Sequence, residues 1–133
     1  MAEIGTVTLL VRDYDEAIRF YVDAAGFELL EDTALGTADG GSTKRWVRVA
    51  PPGATGAALL LAVADTPSQQ ARVGDQTGGR VGLFLQSDDF AADHARMAAG
   101  GVHFLEEPRH EAYGSVAVFE DLYGNRWDLI GPA

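Results

Sequence analysis

The sequence predicts an α+β fold in which two βαβββ repeats form a curved, mostly antiparallel sheet around a cavity, with helices outside. Three observations carry this expectation. The hydrophobic pattern switches between a period of two and one of about 3.6. A strand, a capped helix and three further strands occur early and then recur. The halves superpose at an offset of 75 residues, placing Asp13 on Asp88, Gly26 on Gly101, Leu9–Leu10 on Phe84–Leu85 and Phe27 on Val102. Neither half buries a sheet face alone, so the halves are expected to share one sheet whose inner face encloses a cavity. The 133 residues suit a single domain over 1–133, with repeat 1 at about 4–63, a connector at 64–79 and repeat 2 at about 80–131.

The elements follow in order. Residues 4–12, IGTVTLLVR, are β-rich. Residues 14–25 place Ala17, Ile18, Tyr21 and Val22 at helical spacing, with Asp13 as N-cap, Glu16 three residues on and Gly26 as the stop. Strands are expected at 27–32, 45–50 and 57–63, with a Gly- and Thr-rich mobile loop at 33–43. The polar connector, broken by Pro67 and glycines, holds at most one short helical turn. The second repeat then reads as a strand at 81–87, a cap at Asp88, a helix at 90–100 and strands at 102–107, 115–120 and 125–130. The turn Asp121–Gly124 joins the last two.

Composition narrows the function. The chain has no cysteine, which excludes disulfides, thiolate zinc sites, iron–sulfur clusters and a cysteine nucleophile. Twenty acidic against ten basic residues give a net charge of −10, with no Lys/Arg stripe, so neither nucleic acid nor a membrane surface is an expected partner. The acidity is read first as a means of staying soluble, and second as a feature that favours cationic ligands. No apolar run approaches the roughly 20 residues of a membrane helix. The N-terminus lacks a signal-peptide core, so a cytoplasmic location is expected. No serine has G-x-S-x-G context, and there is no dinucleotide or Walker loop.

The segments Val7–Asp13, Ala17–Tyr21, Gly26–Phe27 and Phe119–Ile130 resemble the vicinal oxygen chelate superfamily. This superfamily includes glyoxalase I, the extradiol dioxygenases and the bleomycin-resistance proteins. The resemblance spans roughly residues 4–131. Phe119–Ile130 resembles the family's turn before the closing strand. The resemblance implies the fold directly, but the scaffold hosts many chemistries.

In the family's metal-binding branches, His, Glu or Gln ligands come from each half's first and last strands. Carried onto this chain, the first-strand positions are Thr6 and Val81, seven residues before Asp13 and Asp88. The closing-strand positions are Asp128 and a residue within Ala57–Ala62, a stretch without a donor side chain. One carboxylate does not hold a divalent transition metal. The expectation is therefore a chain without a metal site or other cofactor.

Strand alternation sets the expected lining. Thr6, Thr8 and Leu10 point one way, with Val7, Leu9 and Val11 under the helix. The repeat gives Val81, Leu83 and Leu85 the cavity side. Arg126 and Ile130 share the face of Asp128, and Trp127 and Leu129 pack under the helix. Trp46 and Arg48 share one strand face and Arg45, Val47 and Val49 the other; which pair faces inward is open. The candidate ligand-binding residues are Thr6, Thr8, Trp46, Arg48, Val81, Leu83, Tyr113, Arg126 and Asp128. Trp46 and Tyr113 could stack on a flat ligand.

The candidate catalytic groups are Asp128, Glu120, His103 and His110. Asp128 is read first as half of an ion pair with Arg126 or Arg48, and second as a ligand contact or base. His94 is read as solvent-facing on its helix, and residues 106–111 as a solvated charge run. The expected function is metal-independent binding of a small molecule, sequestering a cationic or aromatic compound. The alternative is a lyase, isomerase or dioxygenase using Asp128, Glu120 or a histidine as base. The resemblance also implies a homodimer.

Overall fold

The computed structural model describes residues 1–37 and 43–132. The chain forms two compact units, Met1–Arg72 and Val73–Ala133, divided inside the connector. The first unit runs β1 (Thr6–Val11), α1 (Tyr14–Ile18), a π-helical continuation (Arg19–Ala24), β2 (Glu28–Thr37), β3 (Thr43–Ala50), β4 (Ala58–Val63) and α2 (Pro67–Gln70). The second runs β5 (Val81–Gln86), α3 (Phe90–Ala99), β6 (His103–Phe104), β7 (Arg109–Glu111), β8 (Gly114–Glu120) and β9 (Arg126–Gly131). Each unit therefore repeats the βαβββ order, with the strand after α3 broken in two. The strands hydrogen-bond as a four-stranded sheet, β1-β4-β3-β2, and a five-stranded sheet, β5-β9-β8-β6, with β7 also on β8. Within each unit the first and last strands pair in parallel and the rest are antiparallel.

The helices open as the caps predict, with one shift. The Asp13 carboxylate accepts from Glu16 N at 2.8 Å. In the second unit Asp89, rather than Asp88, is the N-cap, accepting from Ala92 N at 3.1 Å. Ser87 explains the shift: its hydroxyl accepts from Asp89 N at 3.0 Å and donates to Asp93 at 2.5 Å, fixing the chain one residue later. Asp13 to Gly26 thus spans one residue more than Asp89 to Gly101. The π turn absorbs that extra residue, with Ala25 N donating to Phe20 O at 2.9 Å. Ala17, Tyr21 and Ala25 still reach the sheet and are buried.

The expected loop at 33–43 is shorter than the composition suggests. Thr33–Thr37 pair with Thr43–Trp46 as strand, around an irregularity between Ala34 and Gly36. Gly36 supplies the positive φ, +80°, that this irregularity needs. Residues 38–42 of the expected loop lie outside the described residues. The expected strand at 102–107 stops at Phe104, because the Glu106 carboxylate takes Val118 N (3.2 Å) and Pro108 has no N–H to offer. The short helical turn of the connector is α2, capped by Thr66.

In the first unit α1 and its π-helical continuation cover one face of the sheet, and in the second α3 does. In the first unit Leu9, Val11, Val47, Val49 and Leu61 are buried with Ala17 and Tyr21. Arg45 ties α1 to this face, bonding Asp32 (2.6 and 3.0 Å) and Asp15 (2.9 Å) and lying over the Tyr14 ring. Its guanidinium holds the Asp32 carboxyl below the usual carboxylate range. In the second unit Phe90 and Met97 are buried with Phe119, Trp127 and Leu129. The Phe119 and Trp127 rings stack at 5.6 Å. Gly131 permits this packing, since a Cβ there would lie 2.9 Å from Phe90 Cβ.

Candidate functional site

Residues paired across neighbouring strands point to the same face, so the register identifies the helix-free face of each sheet. In the first unit one row of pairs runs Glu31–Arg48–Leu60–Thr8 across all four strands. Trp46 and Thr6 lie on the same face by alternation. This resolves the open choice on β3: Trp46 and Arg48 face away from α1, and Arg45, Val47 and Val49 face it. Arg48 reaches across β4, donating from Nε to Thr6 Oγ1 at 3.2 Å and from Nη1 to Glu31 at 2.5 Å.

In the second unit the helix-free face has three rows. Val81, Arg126, Glu120 and His103 form the first, Phe84, Asp128 and Val118 the second, and Gln86, Ile130, Val116 and Arg109 the third. The expected lining is corrected here. Val81 pairs with Arg126 as expected, but Leu83 pairs with Trp127 and Leu85 with Leu129, on the helix side. The cause is an irregularity between Val81 and Leu83 that inserts Gly82 and inverts the alternation beyond it. Phe84, 60% exposed, therefore takes the place expected of Leu83 and Leu85. Tyr113 lies exposed between β7 and β8, off these rows.

The titratable candidates separate. His103 bonds Glu120 through Nδ1 at 2.8 Å. His110 bonds Ser115 through Nδ1 at 2.8 Å; the pair of Ser115 with Gly131 puts it on the helix side, away from Asp128. His94 is not solvent-facing: it is half-buried, its ring 4.1 Å from that of Phe104 and 5.8 Å from that of Phe90. Asp128 forms no ion pair with Arg126 of its own unit. Its Oδ1 is buried and has no hydrogen-bond partner among the described residues. Burial pushes the Asp128 carboxyl up; Arg109 pulls it down and Glu106 pushes it up again. The sequence reading missed this pair, because residues 106–111 look like an ordinary charge run. In the fold Glu106 takes both Arg109 Nε (3.0 Å) and Val118 N, which turns the run back onto the sheet beside Asp128.

The raised carboxyl has a consequence for stability. An acid whose folded pKa lies above its unfolded value adds stability that is fully present below the unfolded value of 3.8 and is lost as pH rises through the folded value. Asp128→Asn removes the charge at constant shape. It is expected to raise Tm at pH 7, and the gain should close as pH falls below 3.8 in thermal scans. A lower Tm for the variant at pH 7 would show that the attraction of Arg109 outweighs the cost of burial.

With this geometry in place, the comparisons with known proteins place the chain. It belongs to the Glyoxalase/Bleomycin resistance protein/Dioxygenase superfamily, whose family model matches residues 3–129. An uncharacterized protein of Shewanella frigidimarina (strain NCIMB 400) is 53% identical over 124 residues, covering 93% of this chain and 89% of that protein. The crystal structure of TnmS3, described as an antibiotic binding protein from Streptomyces sp. CB03234, has a TM-score of 0.74 at 32% identity, covering 100% of this chain and 98% of that one. The crystal structure of UcmS2 has a TM-score of 0.81 at 28% identity, covering 98% of each chain.

The superfamily includes metal enzymes, so the donor set needs a test. Thr6, one of the implied ligand positions, is hydrogen-bonded to the Arg48 guanidinium, whose charge opposes a metal cation there. Val81 has no donor, and β4 carries aliphatic side chains. Asp128 is a lone carboxylate at these positions. Among the described residues no three His, Asp or Glu side chains converge as a metal-binding group. These residues do not fit a divalent transition metal.

Proposed function

We propose that this chain is a metal-independent small-molecule binding protein that sequesters an aromatic or cationic compound. The observation that carries this reading is Asp128 Oδ1, a buried acceptor without a hydrogen-bond partner among the described residues, on a helix-free sheet face between Phe84 and Val118. Unsatisfied buried acceptors are rare and costly, so a donor from outside, a hydroxyl or an ammonium, answers this one. The acidic net charge of −10 adds long-range attraction for cations. The likeness to an antibiotic binding protein agrees with sequestration, which needs affinity and no catalytic set. In this reading the protein acts in the cytoplasm as a homodimer, with neither nucleic acid nor membrane as partner.

The test is a titration of the purified protein, in excess chelator, against cationic glycopeptides of the bleomycin type and flat polycyclic natural products, read by tryptophan fluorescence. Micromolar, saturable quenching by at least one compound is expected. Absence of binding below about millimolar across the panel, roughly −4 kcal/mol, would overturn the proposal.

A second reading is favoured by the His103–Glu120 pair, in which a carboxylate orients an imidazole as in acid–base catalysis. It makes the chain a lyase or isomerase with His103 or Glu120 as base. Against it, the His103 side chain is 68% exposed and two strands away from Asp128.

A further inference from the structure

We infer that Arg48 selects the ligand by taking an acceptor oxygen, a carboxylate or phenolate, carried on a flat aromatic ring that rests on Trp46. This inference rests on the small-molecule reading above and narrows its substrate class.

The Arg48 side chain is mostly buried, 24% exposed, and lies along the helix-free face of the first sheet. Thr6 holds its Nε and Glu31 holds its Nη1. Nη2 has no hydrogen-bond partner among the described residues. A guanidinium stays charged at every accessible pH, and its donors sit in a fixed planar fork. With two corners tied to β1 and β2, the third is oriented in advance, so a ligand oxygen gains a charge-assisted bond at little further cost in side-chain entropy.

Trp46 is two residues away on the same strand and the same face, 37% exposed. A ring lying on its indole would place a ring substituent at the reach of Arg48. Burial of the indole surface then supplies affinity, and the fork supplies orientation. The same charge disfavours an ammonium at that position. Glu31 does not satisfy the guanidinium by itself: its side chain is 43% exposed, and such solvent-facing pairs are worth little.

The experiment uses two probes with one ring system, 1-pyrenecarboxylate and 1-pyrenemethylamine, titrated by fluorescence against wild type, Arg48→Met and Arg48→Gln. Wild type is expected to prefer the carboxylate. Both variants are expected to lose about 10–100-fold in affinity for the carboxylate and to bind the amine more tightly than wild type does. Thermal unfolding of each variant establishes that it folds, and the glutamine variant carries the test if the methionine variant does not. Binding of both probes unchanged by the substitutions would overturn the role of Arg48 and leave the small-molecule reading standing. Failure of wild type to bind either probe or any compound of the panel above would overturn both.

Discussion

Asp121→Ala is expected to cost about 3 kcal/mol and to lower Tm by roughly 10–15 °C. Asp121 is 4% exposed, at the turn between β8 and β9. Its carboxylate accepts from Tyr123 N and Asn125 N, both at 2.9 Å, and from Asn125 Nδ2 at 2.8 Å. Alanine removes all of these acceptors and leaves buried donors behind, each worth about 1 kcal/mol or more when orphaned. Asp121→Asn keeps one acceptor oxygen and is expected to fall between. Urea unfolding of the three proteins measures the ladder. A cost below about 1 kcal/mol for the alanine variant would mean that water replaces the carboxylate in the turn. In the proposed reading the turn also matters to binding, because β9, which follows it, carries Arg126 and Asp128.

Gly74→Ala is expected to cost at least as much, about 3 kcal/mol or more. Gly74 has φ +78°, and a Cβ there would lie 2.0 Å from the carbonyl oxygen of Tyr123 and 3.0 Å from its carbon. Both atoms are backbone, so no rotamer change relieves the contact. Either the connector or the turn that Asp121 holds must move. Gly79→Ala is the matched control: its φ is +98°, but nothing lies within 4 Å of the added Cβ. The control is expected to lose only the left-handed strain, about 1 kcal/mol. Equal costs for the two variants in urea unfolding would show that the connector does not press on the turn.

Much of the fold was legible because repeats leave local marks. Asp13 and Gly26 bound the first helix and Gly101 follows the second, as side-chain chemistry and positive φ demand. What escaped were single-residue shifts. Moving the cap from Asp88 to Asp89 depends on Ser87, whose hydroxyl competes for the same turn. The π turn follows from unequal spacing between caps and glycines, a signal the single offset of 75 residues averaged away. The irregularity at Gly82 turned Leu83 and Leu85 to the helix side. A Cβ at Gly82 would meet Thr77 Cγ2 at 2.6 Å, an encounter the sequence pattern does not announce.

The candidate site divided in the same way. Thr6, Thr8, Arg126 and Asp128 fall on helix-free faces because alternation held along β1 and β9, and Val81 does so because it precedes the irregularity in β5. The face of Trp46 and Arg48 needed the register of β3 with β4, which no local pattern contains. His94 looked solvated among charged neighbours. Phe104, ten residues on, supplies the ring that covers it, and only tertiary pairing brings the two together.

The most direct test of the account is an amide chemical-shift map of the metal-free protein, recorded in excess chelator while 1-pyrenecarboxylate is added. Saturable shifts concentrated at Thr6, Thr8 and Trp46–Arg48, on the helix-free face of the first sheet, are expected. Shifts confined to the helices, or shifts that appear only after a divalent transition metal is supplied, would contradict it.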